Sequence, residues 1–546
     1  MTERYHLGDY SRLVEHAAAK LDSDHVTARL RAHDHTLWSD DPTEISDRLA
    51  WLELPTDMQS ELPRLHEFAD TVRSAGYRHI ALLGMGGSSL GPEVIRQVIG
   101  PAVSGGAYPK MLTLDSTVPD WVAATTEQID SARTLFAVSS KSGTTTEPLA
   151  FYAHFRGLVE AALGVETAGD NFIAVTDPET PLARRADAEN FRRAFLNNPD
   201  IGGRYSVLSY FGLVPAALTG VDLGRLLASA ERMQTRCGDD GPAADNPGGW
   251  LGATIGTMVK QGRDKLTLIS TDSLAPFGLW VEQLLAESTG KDRTGVIPVA
   301  AEPLPEPGES CYGDDRFFVQ LRLASDDNTG PDRLVKRLQE TGHPVAVLEL
   351  ADTYDLGAEF YRWEYATAIA GHVLGIHPFD QPDVQGAKDR TVSVLEQWQQ
   401  HRKLPSARSD DGVKLARLLE ASQPGDYLAI MAYLPDTEAI RDAVRQLRRR
   451  VMTKHRIATT MGYGPRFLHS TGQLHKGGPG SGIYLQLTQD HRSDITIPGW
   501  DLSFGVLADA QALGDLQALD DLGRRTVSVH LGTDPAGGIK RIIDVL

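Results

Sequence analysis

The chain has 546 residues and a mass of 59.4 kDa, enough for about three or four domains whose cores need no disulfide or metal to hold them. Hydrophobic residues make up 41% and charged residues 23%, which excludes a disordered, collagenous or coiled-coil architecture. With 73 Asp and Glu against 54 Lys and Arg, the net charge is -19; that disfavours a nucleic-acid partner, and an anionic substrate needs a local cluster of donors working against the global field.

The first sixty or so residues show helical spacing of apolar positions in LVEHAAAKL and EISDRLAWLEL. From about His79 the pattern changes to short apolar runs, small-residue loops and amphipathic helices. HIALLGMGGSSLGPEVIRQVIG (79–100) predicts strand, Gly/Ser loop and helix, and TLFAVSSKSGTTTEPLAFYAHF (134–155) repeats it, with strands also expected at MLTLDS and NFIAVTD. This alternation predicts a parallel sheet covered by helices on both faces. CGDDGPAADNPGG (237–249) reads as a boundary loop. A second unit follows, with strands at KLTLIST, RFFVQLRL and PVAVLEL and a helix in SLAPFGLWVEQLLAES; its opening echoes residues 79–98, a weak sign of internal duplication. A polar stretch, RKLPSARSDDG (402–412), precedes a third unit with strands at DYLAIMAYL, RIATTMGY, GIYLQLT and TVSVHLG.

Cys237 and Cys311 are the only cysteines, so neither a disulfide framework nor a Cys-rich metal site is expected. The N-terminus has no apolar signal core, and no apolar run approaches a membrane span. The expected setting is the reducing cytoplasm, with no membrane partner.

Two loops sit where an open parallel sheet binds ligands, at the carboxyl ends of strands. One is Gly84-Met85-Gly86-Gly87-Ser88-Ser89. The other, Ser139-Ser140-Lys141-Ser142-Gly143-Thr144-Thr145-Thr146-Glu147, is crowded with hydroxyls between an apolar strand and a helix start. Short donors converging on a helix N-terminus suit a phosphate. Helix capping alone would use one or two of those hydroxyls. Gly84-x-Gly86 followed by Asp115 partly copies a dinucleotide fingerprint, but Ser89 stands where the third glycine belongs.

GMGGSSLGPE and SSKSGTTTEP together resemble the phosphosugar-binding domain of the sugar-isomerase family, and more narrowly the glucose-6-phosphate isomerases. IGGRYSVLS (201–209), QLLAESTGK (283–291) and PFDQPDVQGAK (378–388) follow in family order. The terminal parts resemble the isomerase half of fused transaldolase/isomerase proteins, with only that half expected here. The resemblance implies an α/β protein: an N-terminal helical segment (1–65), two doubly wound sugar-isomerase domains (66–240 and 250–400) and a C-terminal α/β unit (410–546). It also implies a homodimer and reversible exchange between glucose 6-phosphate and fructose 6-phosphate, with no metal or redox cofactor. A non-catalytic phosphosugar sensor and a dinucleotide-dependent oxidoreductase are the competing readings.

The chemistry needs ring opening, a base that moves a proton between C1 and C2, and positive charge for the enediolate. Glu287 matches the family's base, at the end of an apolar helix whose dipole favours a raised carboxyl pKa; Gly290 is the expected stop. Arg204, in a Gly-Gly-Arg turn, matches the enediolate-stabilising group. Gly87, Ser88, Ser140, Ser142, Thr144 and Thr145 are the candidate phosphate and hydroxyl contacts, with Lys141 acting by charge or only by backbone. Gln283 lies one turn before Glu287 on the same face. Gln381 and Lys388 match the family's later active-site segment, Lys388 as an acid/base partner in ring opening. The family places its ring-opening histidine between base and lysine in a His-Ser-x-x-Gln-like pattern, but His343, His372 and His377 occur there in other contexts. That pattern instead appears at Leu468-His469-Ser470-Thr471-Gly472-Gln473, so His469 is expected to act, the third unit folding over the site of its own chain or a partner's. His475, His377 and Lys476 are the substitutes.

Overall fold

The computed structural model describes residues 2–101, 108–306, 309, 311–405 and 408–546. Strand β1 (Glu3–His6) opens the chain. The first sheet comprises β2 (His79–Gly84), β3 (Lys110–Leu114), β4 (Thr134–Ser139), β5 (Phe172–Thr176) and β6 (Arg193–Leu196), all parallel, in the order β3-β2-β4-β5-β6. The second comprises β7 (Lys265–Ile269), β8 (Ile297–Val299), β9 (Arg316–Leu323) and β10 (Val345–Leu350) in the order β8-β7-β9-β10, with β1 added antiparallel to β10. The third comprises β11 (Tyr427–Ala432), β12 (Ala458–Tyr463), β13 (Gly482–Thr488) and β14 (Arg525–His530) in the order β12-β11-β13-β14. In each sheet the first parallel strand lies between the second and third. The chain therefore reverses direction across the sheet there, and that switch point opens a crevice at the carboxyl ends.

The strands are apolar on both faces because both faces are covered. In the first sheet Ile80, Leu82, Leu135, Ala137, Ile173 and Val175 enter one core, while their neighbours Ala81, Leu83, Phe136, Val138, Phe172 and Ala174 enter another. The third sheet divides likewise: Leu428 and Ile430 on one side, Tyr427, Ala429 and Met431 on the other. That last group packs with Val118, Ala286, Ile297 and Val299 of the first two units, which fixes the third unit across them.

Three local expectations change. The N-terminal segment is not helical throughout, since β1 completes the second sheet with Glu3 opposite Leu348. EISDRLAWLEL forms turns and the short helices Ala50–Glu53 and Leu54–Asp57. Tertiary contacts win there: Leu49 bridges to Ile201 and Ala50 N–H donates to Asp200 O at 3.1 Å. The 237–249 loop is shorter than expected, because a helix starts at Pro247 and runs to Lys260, capped by Asn246. Gly248, Gly252 and Gly256 lie four residues apart on it, and a Cβ on any of them would approach helix Leu356–Leu374 to 2.5–2.6 Å. These glycines are a packing stripe, not a loop signal. The polar stretch 402–412 runs between helix Gln385–His401 and helix Gly412–Glu420, residues 406 and 407 lying outside the described residues.

Phe136 is fully buried and stacks on Phe155 and Phe172. Phe136→Ala should lower the unfolding free energy by about 3–5 kcal/mol, read as a lower urea midpoint; an unchanged midpoint would mean that this stack does not hold the first sheet.

Candidate active site

Register brings the two expected loops together. Gly84 at the end of β2 pairs with Ser139 at the end of β4, so the loops leave the sheet side by side at its switch point. The β2 loop lies flush against the Gly203–Tyr205 turn: a Cβ on Gly87 would sit 1.9 Å from Gly203 O. Gly86 has φ +54°, and a Cβ there would meet His469 O at 2.8 Å and Gln283 Nε2 at 2.9 Å. Only a bare backbone lets these three segments meet.

The β4 loop precedes helix Thr146–Leu163, whose N-cap, Thr145, makes no side-chain capping bond. Its hydroxyl pairs with Ser140 Oγ at 2.9 Å, and Ser142 Oγ pairs with Thr144 Oγ1 at 2.9 Å. Simple capping is therefore not what these hydroxyls do, and Ser142 and Thr144 stand exposed on the cavity wall. The Lys141 ammonium is drawn aside to Asp177 and to Pro199 O at 3.0 Å. Ser88 closes the Gly86–Ser88 turn on the facing side.

Glu287 lies in the last turn of helix Phe277–Thr289, which ends at Gly290. Arg204 Nη1 is 3.1 Å from Glu287 Oε1 and donates to Gln381 Oε1 at 3.1 Å, while Nη2 donates to Asp380 O at 2.8 Å and Pro378 O at 3.3 Å. The guanidinium is only 4% exposed. Gln283 Nε2 donates to Glu287 Oε2 at 3.1 Å and to His469 O at 2.9 Å. Both carboxylate oxygens of Glu287 are thus fixed, one by charge and one by an amide.

His469 arrives from the third unit of the same chain, at the end of the Arg466–His469 turn. Its Nε2 is 3.0 Å from Glu147 Oε1, which also accepts from Gln511 Nε2 at 2.7 Å; Gln511 in turn accepts from Thr117 Oγ1 at 2.8 Å. Burial would lower the His469 pKa, but the charge and hydrogen bond of Glu147 outweigh it and the net direction is upward. Burial likewise pushes Glu147 upward, and His469 more than reverses it, holding the carboxyl below its ordinary range. Lys388, exposed on helix Gln385–His401, lines the same cavity and acts on His469 through its charge.

One cavity of about 620 Å³ gathers every residue expected from the sequence to touch a ligand except Ser140, which lies just beneath, 2% exposed and bonded to Thr145. The sequence reading missed Glu147, Gln511 and Arg48, which also line it. Glu147 had a legible signal: a carboxylate in the first turn of the phosphate-loop helix, among hydroxyls. Of the substitutes, His475 packs against Tyr484 and Phe467 in the third unit, where burial drives its pKa well below the ordinary range. His377 faces Thr43 O. Lys476 lines the cavity but its ammonium is held by Asp515 at 2.6 Å. Asp115, the acidic residue of the partial dinucleotide fingerprint, is buried and paired with Arg466 at 3.3 Å rather than free for a ribose. Among the described residues, no group of three or more His, Cys, Asp or Glu is placed to hold a metal ion.

Residues 53–299 match the family model described as phosphoglucose isomerase. That stretch, a little under half of the chain, is similar to the phosphoglucose isomerases. Similar relatives include a glucose-6-phosphate isomerase of Rubrobacter xylanophilus, 28% identical over 433 residues, 71% of this chain and 97% of the relative. Another, of Symbiobacterium thermophilum, is 29% identical over 388 residues, 63% of this chain and 86% of the relative. Among solved structures, a glucose-6-phosphate isomerase from Chlamydia trachomatis shares the fold with TM-score 0.62 and 19% identity, covering 77% of this chain and 91% of that one. A hypothetical protein from Thermus thermophilus has TM-score 0.61 at 23% identity, covering 72% and 100%. The family segment includes both loops, Glu147, Arg204, Gln283 and Glu287, while Gln381, Lys388 and His469 lie beyond it.

Glu147→Gln removes the charge that holds the His469 proton and leaves burial, the largest influence, and Lys388 acting downward against the weaker upward pull of Glu287. The His469 imidazole should then titrate at lower pH than in the unaltered protein, followed by NMR of labelled histidine; an unmoved titration would detach His469 from Glu147.

Proposed function

We propose that this chain interconverts glucose 6-phosphate and fructose 6-phosphate in the cytoplasm, with the named side chains in the following roles. The observation that carries the reading is the held Glu287–Arg204 pair facing a hydroxyl-lined helix start across one cavity. Ser142, Thr144 and Thr145, with backbone N–H groups at the start of helix Thr146–Leu163, take the phosphate, the helix dipole adding to their pull. Ser140 positions Thr145 from below, and Lys141 acts by its backbone, its ammonium being occupied by Asp177. Ser88 and the N–H groups beside Gly87 receive sugar hydroxyls.

His469, kept protonated by Glu147, donates to the ring oxygen while Lys388 assists removal of the C1 hydroxyl proton. The ring C1–O bond breaks and the open aldehyde forms. Glu287 then takes the proton from C2, and that electron pair forms the C1–C2 double bond of an enediolate. Arg204 stabilises the negative oxygen, with Gln381 holding the guanidinium in plane. Return of the proton from Glu287 to C1, with proton exchange between the two oxygens, gives the ketose. Gln283 keeps the Glu287 carboxylate aimed at the C1–C2 edge. A phosphosugar sensor would need the hydroxyl loop but neither this pair nor the histidine–carboxylate dyad.

His469 of the same chain reaches the site, so the homodimer implied by the resemblance is not required to complete it. Specific activity should hold constant on dilution through any dimer dissociation, followed by light scattering and a coupled assay; activity lost with the dimer would mean a partner residue is needed.

Glu287→Gln should lower kcat by about 10³-fold or more and stop exchange of the C2 hydrogen with solvent. Retained exchange would remove Glu287 as the base. Arg204→Ala should lower kcat by about 10²–10³-fold with little change in KM, as expected of a group used mainly in the transition state.

A further inference from the structure

A second cavity, of about 500 Å³, lies where the three units meet, at the carboxyl ends of β3, β8, β11 and β12. Helix Glu438–His455 presents Arg441, Arg445 and Arg448 to it, spaced to share one face, and Arg466 closes the side. Arg448 is spent on structure: it donates to Ala300 O and Ala301 O at 2.9 Å and to Thr459. The other three are not. Arg441 uses Nη1 on Asp436 at 2.8 Å, Arg445 uses Nη1 on Asp442 at 3.1 Å and Arg466 uses Nη1 on Asp115 at 3.3 Å. Their remaining N–H groups have no protein partner among the described residues.

Opposite them, Glu282 projects from helix Phe277–Thr289. It is 6% exposed, lines the cavity and makes no hydrogen bond among the described residues. Its carboxyl oxygens open onto the cavity, where a ligand can meet them. Burial pushes its pKa up to about 8, against the pull of Arg448 and Arg466. Near neutral pH it is therefore a neutral donor, not a charge that would repel an anion.

We propose that this cavity is a second binding site, distinct from the active site, for a small phosphorylated metabolite. Arg441, Arg445 and Arg466 grip its phosphoryl oxygens and Glu282 hydrogen-bonds it from the opposite wall. Guanidinium forks match phosphate geometry, and the volume suits a small metabolite. In a chain of net charge -19, the four arginines of this cavity offset Glu93, Asp115 and Asp436 on its walls and, with Glu282 neutral, leave it one positive charge.

The walls are shared with the active site. Glu282 adjoins Gln283, which holds Glu287. Arg466 begins the four-residue turn that ends at His469. Asp115, the partner of Arg466, reaches Ser89 Oγ beside the Gly86–Ser88 turn at 3.5 Å. Occupation of the second cavity is thereby transmitted to His469 and Glu287.

Inorganic pyrophosphate, titrated calorimetrically into the full chain without metal, should bind at two sites. Arg441→Ala/Arg445→Ala should abolish one of them and leave the KM for fructose 6-phosphate within about twofold; both side chains are exposed, so the fold should tolerate the change. Ser142→Ala/Thr144→Ala should abolish the other site only. Pyrophosphate should also change kcat in the unaltered protein and not in the arginine variant. A single site lost with the Ser/Thr change, or two sites untouched by the arginine change, would overturn the proposal. Since the arginine arm reads binding and not turnover, it stands or falls separately from the isomerase reading.

Discussion

The Glu287–Arg204 contact is the constraint around which the site is arranged. Two charges held in a largely buried place lose hydration, and their attraction compensates only when the remaining donors and acceptors are also satisfied. That requirement explains the surrounding residues. Gln283 takes the second oxygen of Glu287, and Gln381, Pro378 and Asp380 take Nη groups of Arg204, leaving its buried Nε without a partner among the described residues. A carboxylate and a guanidinium so fixed cannot collapse onto unrelated partners, and the cost of dehydrating them is met in folding. The same logic sets the glycines: segments that carry Arg204, Gln283 and His469 can meet only if Gly86 and Gly87 present bare backbone to them.

The third unit is an integral wall. Its sheet repeats the strand order of the other two, and its inner face packs on Ala286, one residue before Glu287. Gly290, which ends the Glu287 helix, would place a Cβ 2.4 Å from Leu474 Cα. The helix end that carries Glu287 is therefore shaped by the C-terminal unit as much as by its own, and the unit that packs on it also delivers His469.

Most of the site was legible because its chemistry is local. Hydroxyls crowded between a strand and a helix, or a Gly-Gly-Arg turn, declare themselves in a few residues, and alternation of apolar runs and loops announces parallel sheets. What stayed hidden depends on distant partners. Glu147 looks like an ordinary first-turn carboxylate until a histidine 322 positions away closes on it. β1 is four residues whose pairing exists only once β10 is in place, and β6 and β8 are short strands that end their sheets. Gly248 reads as loop because its reason, the closeness of helix Leu356–Leu374, lies more than a hundred residues on. Which unit His469 serves was likewise open in the sequence, since a motif fixes a residue type and spacing but not the chain that folds over it.

Helix Phe277–Thr289 shows how one element can serve two environments. Glu282 and Glu287 are five residues apart, which on a helix turns them toward different sides. Glu287 meets a guanidinium at 3.1 Å. Glu282 feels Arg448 and Arg466 only through space, without a hydrogen bond, and burial prevails. The same side chain on the same helix thus has a guanidinium at contact distance on one face and none on the other. Helix Phe277–Thr289 therefore lines both cavities, with Gln283 and Glu287 on one and Glu282 on the other.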